Sequence, residues 1–222
     1  MKKALLICHH NHLDTGYVSD ILFKSHYSLT IINSHSIFQL NNSEIKSFNL
    51  VCFFGGRASA NDNSASINAE FILINKLSKF KIPTIGICLG AQLIAKFFGS
   101  KISNNSVNKS EIGYKQIMKP NIKYFNKNNL NFMQFHNQGI SINSSMEVWG
   151  YGRSFEIDAF KIKNMPIFGF QFHPEVDSKS ISRWYKSNHE PISKFKDSLS
   201  KTIKNYETFK DINYLWLKKI LL

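Results

Sequence analysis

The stretch Ile82-Pro83-Thr84-Ile85-Gly86-Ile87-Cys88-Leu89-Gly90-Ala91-Gln92-Leu93 decides the fold. Thr84–Ile87 is β-branched apart from its glycine and reads as a short buried strand. Leu89–Phe98, stopped by Gly99, reads as a helix. A strand that is apolar rather than alternating belongs in a parallel sheet covered on both faces. Outward from this unit the same alternation recurs. Ala65–Phe80 carries Ile67, Phe71, Ile74 and Leu77 at helical spacing, and Lys81-Ile82-Pro83 closes it. Leu50–Phe54 is an apolar run ending at Gly55-Gly56. Lys3–Cys8 and Leu29–Asn33 read as strands around a helix over Thr15–Lys24, and Ile167–Phe172 is a strand again. The pattern is that of βαβ units and a parallel sheet.

Between Lys101 and Phe168 the pattern changes. Short strands at Gly113–Met118, Asn131–Phe135, Glu147–Trp149 and Ala159–Ile162 stand between Asn/Lys/Ser loops and read as an antiparallel layer or edge. Asn121–Asn129 reads as a flexible loop. From Asp177 onward three helices are expected, over Ser178–Asn188, Ile192–Asn205 and Tyr206–Leu221. The last is apolar on one side and is expected to dock on the core rather than lie on a membrane. No repeat or linker divides the chain, so residues 1–222 read as a single domain.

Composition sets the function class. The 222 residues are 43% hydrophobic, enough for one sizeable core. The N-terminus lacks the long apolar region of a signal peptide, and no stretch is long and apolar enough to span a bilayer, so a cytoplasmic protein is expected. Three cysteines, Cys8, Cys52 and Cys88, are too few and too irregularly spaced for a disulfide framework, and no CxxC pair offers a zinc site. The 28 basic and 15 acidic residues leave a net charge of +13. The lysines are scattered and no basic helix or aromatic–basic motif stands out. A solvated surface is therefore expected, with no nucleic-acid partner.

Gly86-Ile87-Cys88-Leu89-Gly90 has the form of a nucleophile elbow in strand–turn–helix context. The turn needs small flanking residues, and the helix that follows favours a thiolate at its N-terminus. The pentapeptide alone fits a small buried residue at a βα junction equally well. A nucleophilic thiol needs a base and a group to orient it. Gly169-Phe170-Gln171-Phe172-His173-Pro174-Glu175 ends an apolar strand, and extended backbone places His173 and Glu175 on one side. Gly55-Gly56 after a buried strand allows close backbone approach. The N–H groups of Gly56 and Leu89 form a candidate oxyanion hole. Taken alone, a strand-end His-Pro-Glu and a Gly-Gly turn are commonly just structural.

Together, "GGRASAND", "IPTIGICLGAQLIAKFFGSKI", "EIGY", "FEIDAF" and "FGFQFHPEV" resemble the class I glutamine amidotransferases, in particular stand-alone proteins similar to the glutaminase domain of GMP synthetase. The likeness covers nearly the whole chain. It implies a flavodoxin-like, Rossmann-like three-layer α/β sandwich, mainly parallel with an added antiparallel layer. It implies a Cys88–His173–Glu175 triad, an oxyanion hole from Gly56 and Leu89, and glutamine contacts near Gln92. A γ-glutamyl thioester would form on Cys88 as ammonia leaves, and water activated by His173 would release glutamate, with no metal or organic cofactor.

The chain departs from the family in places. Arg57 stands where relatives often carry proline, within reach of a substrate anion or of solvent. Phe135–Ile140 lacks the acid that helps relatives hold glutamine, and, depending on alignment, either His136 or Gln138 takes the histidine's place. Asp158 stands in place of a glutamine and either supplies the missing carboxylate or caps a strand. Glu111 is expected to be structural, or to support residues that touch substrate, rather than to be catalytic. The chain carries no acceptor domain, so ammonia would pass to a separate synthetase. Two alternatives compete with this reading: a γ-glutamyl hydrolase acting on a conjugate or peptide, and a non-enzymatic regulatory or binding protein.

Overall fold

The computed structural model describes residues 1–9, 13–104, 110–125, 130–187 and 198–222. The first half winds β1 (Lys3–Cys8), α1 (Gly16–Lys24), β2 (Ser28–Asn33), α2 (Asn42–Ser47), β3 (Leu50–Phe53), α3 (Ala65–Phe80), β4 (Thr84–Ile87) and α4 (Leu89–Phe97). β1 pairs in parallel with β2 on one side and β3 on the other, and β3 pairs in parallel with β4. Because chain order reverses at β1, the carboxyl ends of β1 and β3 border a crevice, the usual place for a ligand in such a sheet. The bounds of α3 and β4 are those expected from the sequence. Ser64 caps α3 by accepting from the Ile67 N–H at 3.3 Å, and Lys81 closes it in a left-handed conformation.

The second half contributes β5 (Ile102–Asn104), β6 (Glu111–Gln116), α5 (Ile122–Phe125), β7 (Asn131–His136), β8 (Gln138–Ile140), β9 (Met146–Gly150), β10 (Ala159–Ile162), β11 (Ile167–Phe170), α6 (Ser178–Ser187) and α7 (Leu199–Leu221). The main sheet has seven strands in the order β2-β1-β3-β4-β11-β10-β9. β11 joins β4 in parallel, while β10 and β9 extend the edge antiparallel. The expected antiparallel region thus divides. β9 and β10 belong to the main sheet, while β6–β7 and β5–β8 form two separate ribbons.

Sidedness follows the strand period of two. Leu5 and Ile7 of β1 join one cluster with Ile67, Ile74 and Leu77 of α3 and Leu93 and Ile94 of α4. Ala4, Leu6 and Cys8 join the other with Ile21 and Leu22 of α1 and Trp216, Leu217 and Leu221 of α7. These layers on either face make an α/β sandwich. Burying each large apolar side chain contributes roughly 1.5–3 kcal/mol.

Two expectations change. Residues 199–221 form one helix rather than two parted near Tyr206, because neither Gly nor Pro interrupts them. Residues 188–197 lie outside the described residues. Within the expected loop, Ile122–Phe125 forms a helical turn anchored by buried Phe125, whose ring stacks on Trp216 at 5.4 Å. Residues 126–129 also lie outside the described residues. No helix among the described residues is long and apolar enough to cross a membrane.

Candidate active site

Cys88 sits between β4 and α4 at φ 51°, ψ −108°, outside the conformations a side-chain-bearing residue normally adopts. Such strain costs on the order of 1–3 kcal/mol and persists only where the surroundings enforce it. Here they do. The Cys88 N–H donates to the Phe170 carbonyl at 2.8 Å, and its own carbonyl accepts from Gln92 N–H at 3.0 Å. The flanking glycines meet the steric condition. A Cβ on Gly86 would lie 2.5 Å from the Gly90 carbonyl, and a Cβ on Gly90 would lie 2.3 Å from the Phe53 oxygen.

His173 follows β11, the strand beside β4. Its N–H donates to the Met133 carbonyl at 2.8 Å, its ring meets Trp184 edge-on at 4.6 Å, and Nδ1 lies 2.8 Å from Glu175 Oε1. Gly55 leaves room for the ring: a Cβ there would stand 2.7 Å from His173 Cε1. His173 and Glu175 are 4% and 5% exposed, so their interaction is little screened. Burial alone would lower the imidazole pKa. The Glu175 carboxylate, followed by the charge of Cys88 and a hydrogen bond with it, overcomes burial and raises the pKa to about 10. Thiol, imidazole and carboxylate therefore stand in sequence, the order in which a thiol can surrender its proton and act as a nucleophile. The other two thiols are unsuited to that role, since burial holds both in the protonated form and pushes Cys8 up to about 12.

Gly56 lies against the start of α4, where a Cβ would meet Leu89 Cδ2 at 2.9 Å. Leu89 is the first residue of that helix, so its N–H has no partner within the helix. A cleft of about 810 Å³ opens over these groups. Cys88, His173, Glu175, Gly55, Gly56 and Arg57 line it.

Of the residues expected to hold substrate, Arg57 lines this cleft, while Gln92, His136, Gln138 and Asp158 lie outside its lining, engaged in hydrogen bonds. Gln92 Nε2 donates to the Gln138 carbonyl at 3.0 Å and to Gln171 Oε1 at 3.1 Å. His136 places Nδ1 2.9 Å from the Gln138 carbonyl and Nε2 2.9 Å from Gln134 Oε1. The Gln138 side chain accepts from Ser59 Oγ at 2.8 Å. Asp158 accepts from Gln134 Nε2 at 2.9 Å. Burial, and secondarily the charge of Glu111, pushes Asp158 up to about 8, while burial lowers His136 to about 3. Burial also raises Glu111, against opposing effects from Lys115, Ser154 and Arg153.

Sequence reasoning passed over Gln171. This fully buried amide donates from Nε2 to Cys88 Sγ at 3.8 Å and is itself held by Gln92. Its place between Phe170 and Phe172, two residues before His173, was the available signal. Strand alternation puts it on the same side as His173.

Comparison with known proteins identifies the family. The family model for class-I glutamine amidotransferases matches residues 16–188. Among curated relatives, one of the subunits of the glutamine-hydrolysing GMP synthase from Pyrococcus abyssi is 32% identical over 128 residues, covering 57% of this chain and 65% of that protein. Its namesake from Methanococcus vannielii is 29% identical over 174 residues, covering 75% and 84%. The match thus spans just under two thirds of the Pyrococcus protein's length. Among solved structures, a glutamine amidotransferase from Thermotoga maritima superposes with a TM-score of 0.87 at 24% identity, covering 99% of this chain and 96% of that one. Another from Methylobacillus flagellatus gives 0.86 at 20%, covering 100% and 93%. The fold is therefore shared well beyond the aligned sequence, and the chain belongs to the class I glutamine amidotransferase family.

Proposed function

We propose that the protein hydrolyses the γ-amide of glutamine through a thioester on Cys88 and supplies the ammonia to a separate acceptor enzyme. The observation that carries this reading is the strained Cys88 at the end of β4 beside the buried His173–Glu175 pair at the end of β11. In the proposed path the thiol proton already resides on His173, and Glu175 stabilises the resulting imidazolium. The thiolate adds to the amide carbon. The oxyanion rests on the N–H groups of Gly56 and Leu89, with no donor movement needed as charge develops. His173 then protonates the leaving nitrogen and ammonia departs. His173 next accepts a proton from water as that water attacks the thioester, releasing glutamate and restoring the thiolate beside the imidazolium. The names of the relatives, glutamine-hydrolysing enzymes divided into subunits, support both glutamine as substrate and a synthetase as partner. We propose that residues 1–222 carry this glutaminase reaction as one domain.

The test is glutamate and ammonia release from glutamine, with Cys88→Ala alongside. Loss of at least about 10³-fold is expected on removing a covalent nucleophile. Turnover unchanged in the variant would overturn the reading.

The cleft favours one second reading. At about 810 Å³ it matches sites that hold drug-sized ligands, larger than glutamine. Arg57, Arg183 and Lys186 stand along it with Asp14, to which Arg183 is paired. A γ-glutamyl conjugate with an anionic leaving group would fill it through the same thiol chemistry. Turnover of such conjugates in preference to glutamine, with or without any acceptor enzyme, is the outcome that selects it.

A further inference from the structure

Glu111, Gln134, His136 and Asp158 converge outside the lining of the cleft, each less than a tenth exposed. Glu111 stands directly opposite His136 across the β6–β7 ribbon, Gln134 lies two residues before His136 on the same face of β7, and Asp158 precedes β10. One ligand atom each from Glu111, His136 and Asp158 lies within 4.8 Å of the other two. Their polar atoms are incompletely matched. Glu111 Oε2 and Asp158 Oδ1 are buried without a hydrogen-bond partner, and Glu111 Oε2 points at His136 Nε2 from 3.8 Å.

The donor count is short by a positive species. The Gln138 carbonyl is an acceptor only, so His136 must carry its proton on Nδ1. The Nε2 lone pair then faces Gln134 Oε1 at 2.9 Å, an acceptor against an acceptor. Turning the Gln134 amide over would give Nε2 a donor, but it would set the amide oxygen against Asp158 Oδ2 at the same 2.9 Å. Either orientation leaves one repulsive contact and two orphaned carboxylate oxygens. A single shared proton would relieve the contact and leave carboxylate oxygens unmatched. A divalent ion would answer all three needs at once.

The spacing around His136 is that of a small ion. Two ligands of a tetrahedral ion with bonds of about 2.1 Å stand about 3.4 Å apart, between the 2.9 and 3.8 Å found around His136 Nε2. The Nδ1 contact with a backbone carbonyl is the usual second anchor of a metal-binding histidine. We propose that Glu111, His136 and Asp158, with the Gln134 amide oxygen, form a buried structural site for one divalent transition metal. One imidazole nitrogen with three oxygens suits Mn²⁺ or Zn²⁺. The ion would tie β6–β7 to the segment that leads into β10, and it takes no part in the chemistry at Cys88.

The test is equilibrium dialysis of the chelator-treated full chain against Mn²⁺ and against Zn²⁺, with elemental analysis and a melting curve for each. Cys88→Ser runs in parallel to remove the thiol as a competing ligand. The expected result is one equivalent per chain of at least one metal, retained in Cys88→Ser, with a melting temperature several degrees higher. Glu111→Gln, which keeps the side-chain shape, should bind at least 10-fold more weakly. No stoichiometric metal on the wild-type chain would overturn the site and leave a shared proton in its place. So would metal lost with Cys88→Ser, or metal bound equally by Glu111→Gln. The wild-type dialysis decides even if the Glu111 variant fails to fold.

Discussion

At His173 two forces oppose each other. Removal from water disfavours the imidazolium, and the Glu175 carboxylate 2.8 Å away favours it more strongly. The folded-state pKa of about 10 exceeds the ordinary 6.5, so the native protein holds a proton that the unfolded chain gives up between these values. Stability from this group is full below about pH 6.5 and is lost as pH rises towards 10. The denaturation midpoint should therefore fall across that range, and fall less in Glu175→Gln, where the carboxylate charge is gone. A urea midpoint that falls equally with pH in the wild type and in Glu175→Gln would contradict this origin. Gln171 acts on the same thiol from its other neighbour. Gln171→Leu removes one hydrogen bond to sulfur, worth on the order of 1–1.5 kcal/mol, so kcat for glutamine should drop about 10-fold with KM little changed.

At the scale of elements, the turn between β4 and α4 is held by close backbone contacts that leave no room for side chains. Gly86→Ala or Gly90→Ala would drive a methyl into backbone at 2.3–2.6 Å and should cost about 3 kcal/mol or more in denaturant unfolding, together with activity. Gly99→Ala meets nothing within 4 Å and bears only its φ of 98°, so about 1 kcal/mol and intact activity are expected. Sequence made this turn legible because strand, nucleophile and helix lie in one continuous stretch. The His173–Glu175 pair was legible for the same reason, being two residues apart in extended chain. α2 carried a readable signal in Asn41 and Glu44, which form a capping box. The cluster of Glu111, Gln134, His136 and Asp158 was not legible. Its members meet only after β6 pairs with β7 and β10 takes its place beside β11, a register that local pattern does not encode. The engagement of Gln92 and Asp158 in buried hydrogen bonds, away from the cleft lining, depends on the same long-range pairing.

Across the whole molecule, the sheet brings the ends of β3, β4 and β11 to one edge, and α7 holds the sheet from behind. Leu217 is fully buried in the cluster that α7 shares with α1 and β1. Leu217→Ala should cost about 2–5 kcal/mol of stability, while the fraction that remains folded keeps its glutaminase rate. A matching loss of kcat at temperatures where the variant is folded would show that α7 shapes the site as well as the core. The fold therefore places a strained thiol, a base and a charge on neighbouring strand ends, and the proposed chemistry rests on that placement. Acid quenching during glutamine turnover, followed by intact mass and peptide mapping, tests it most directly. A γ-glutamyl increment on the peptide bearing Cys88, absent from Cys88→Ala, is the predicted result. Steady glutamine hydrolysis with no adduct on Cys88, and equal hydrolysis by Cys88→Ala, would contradict it.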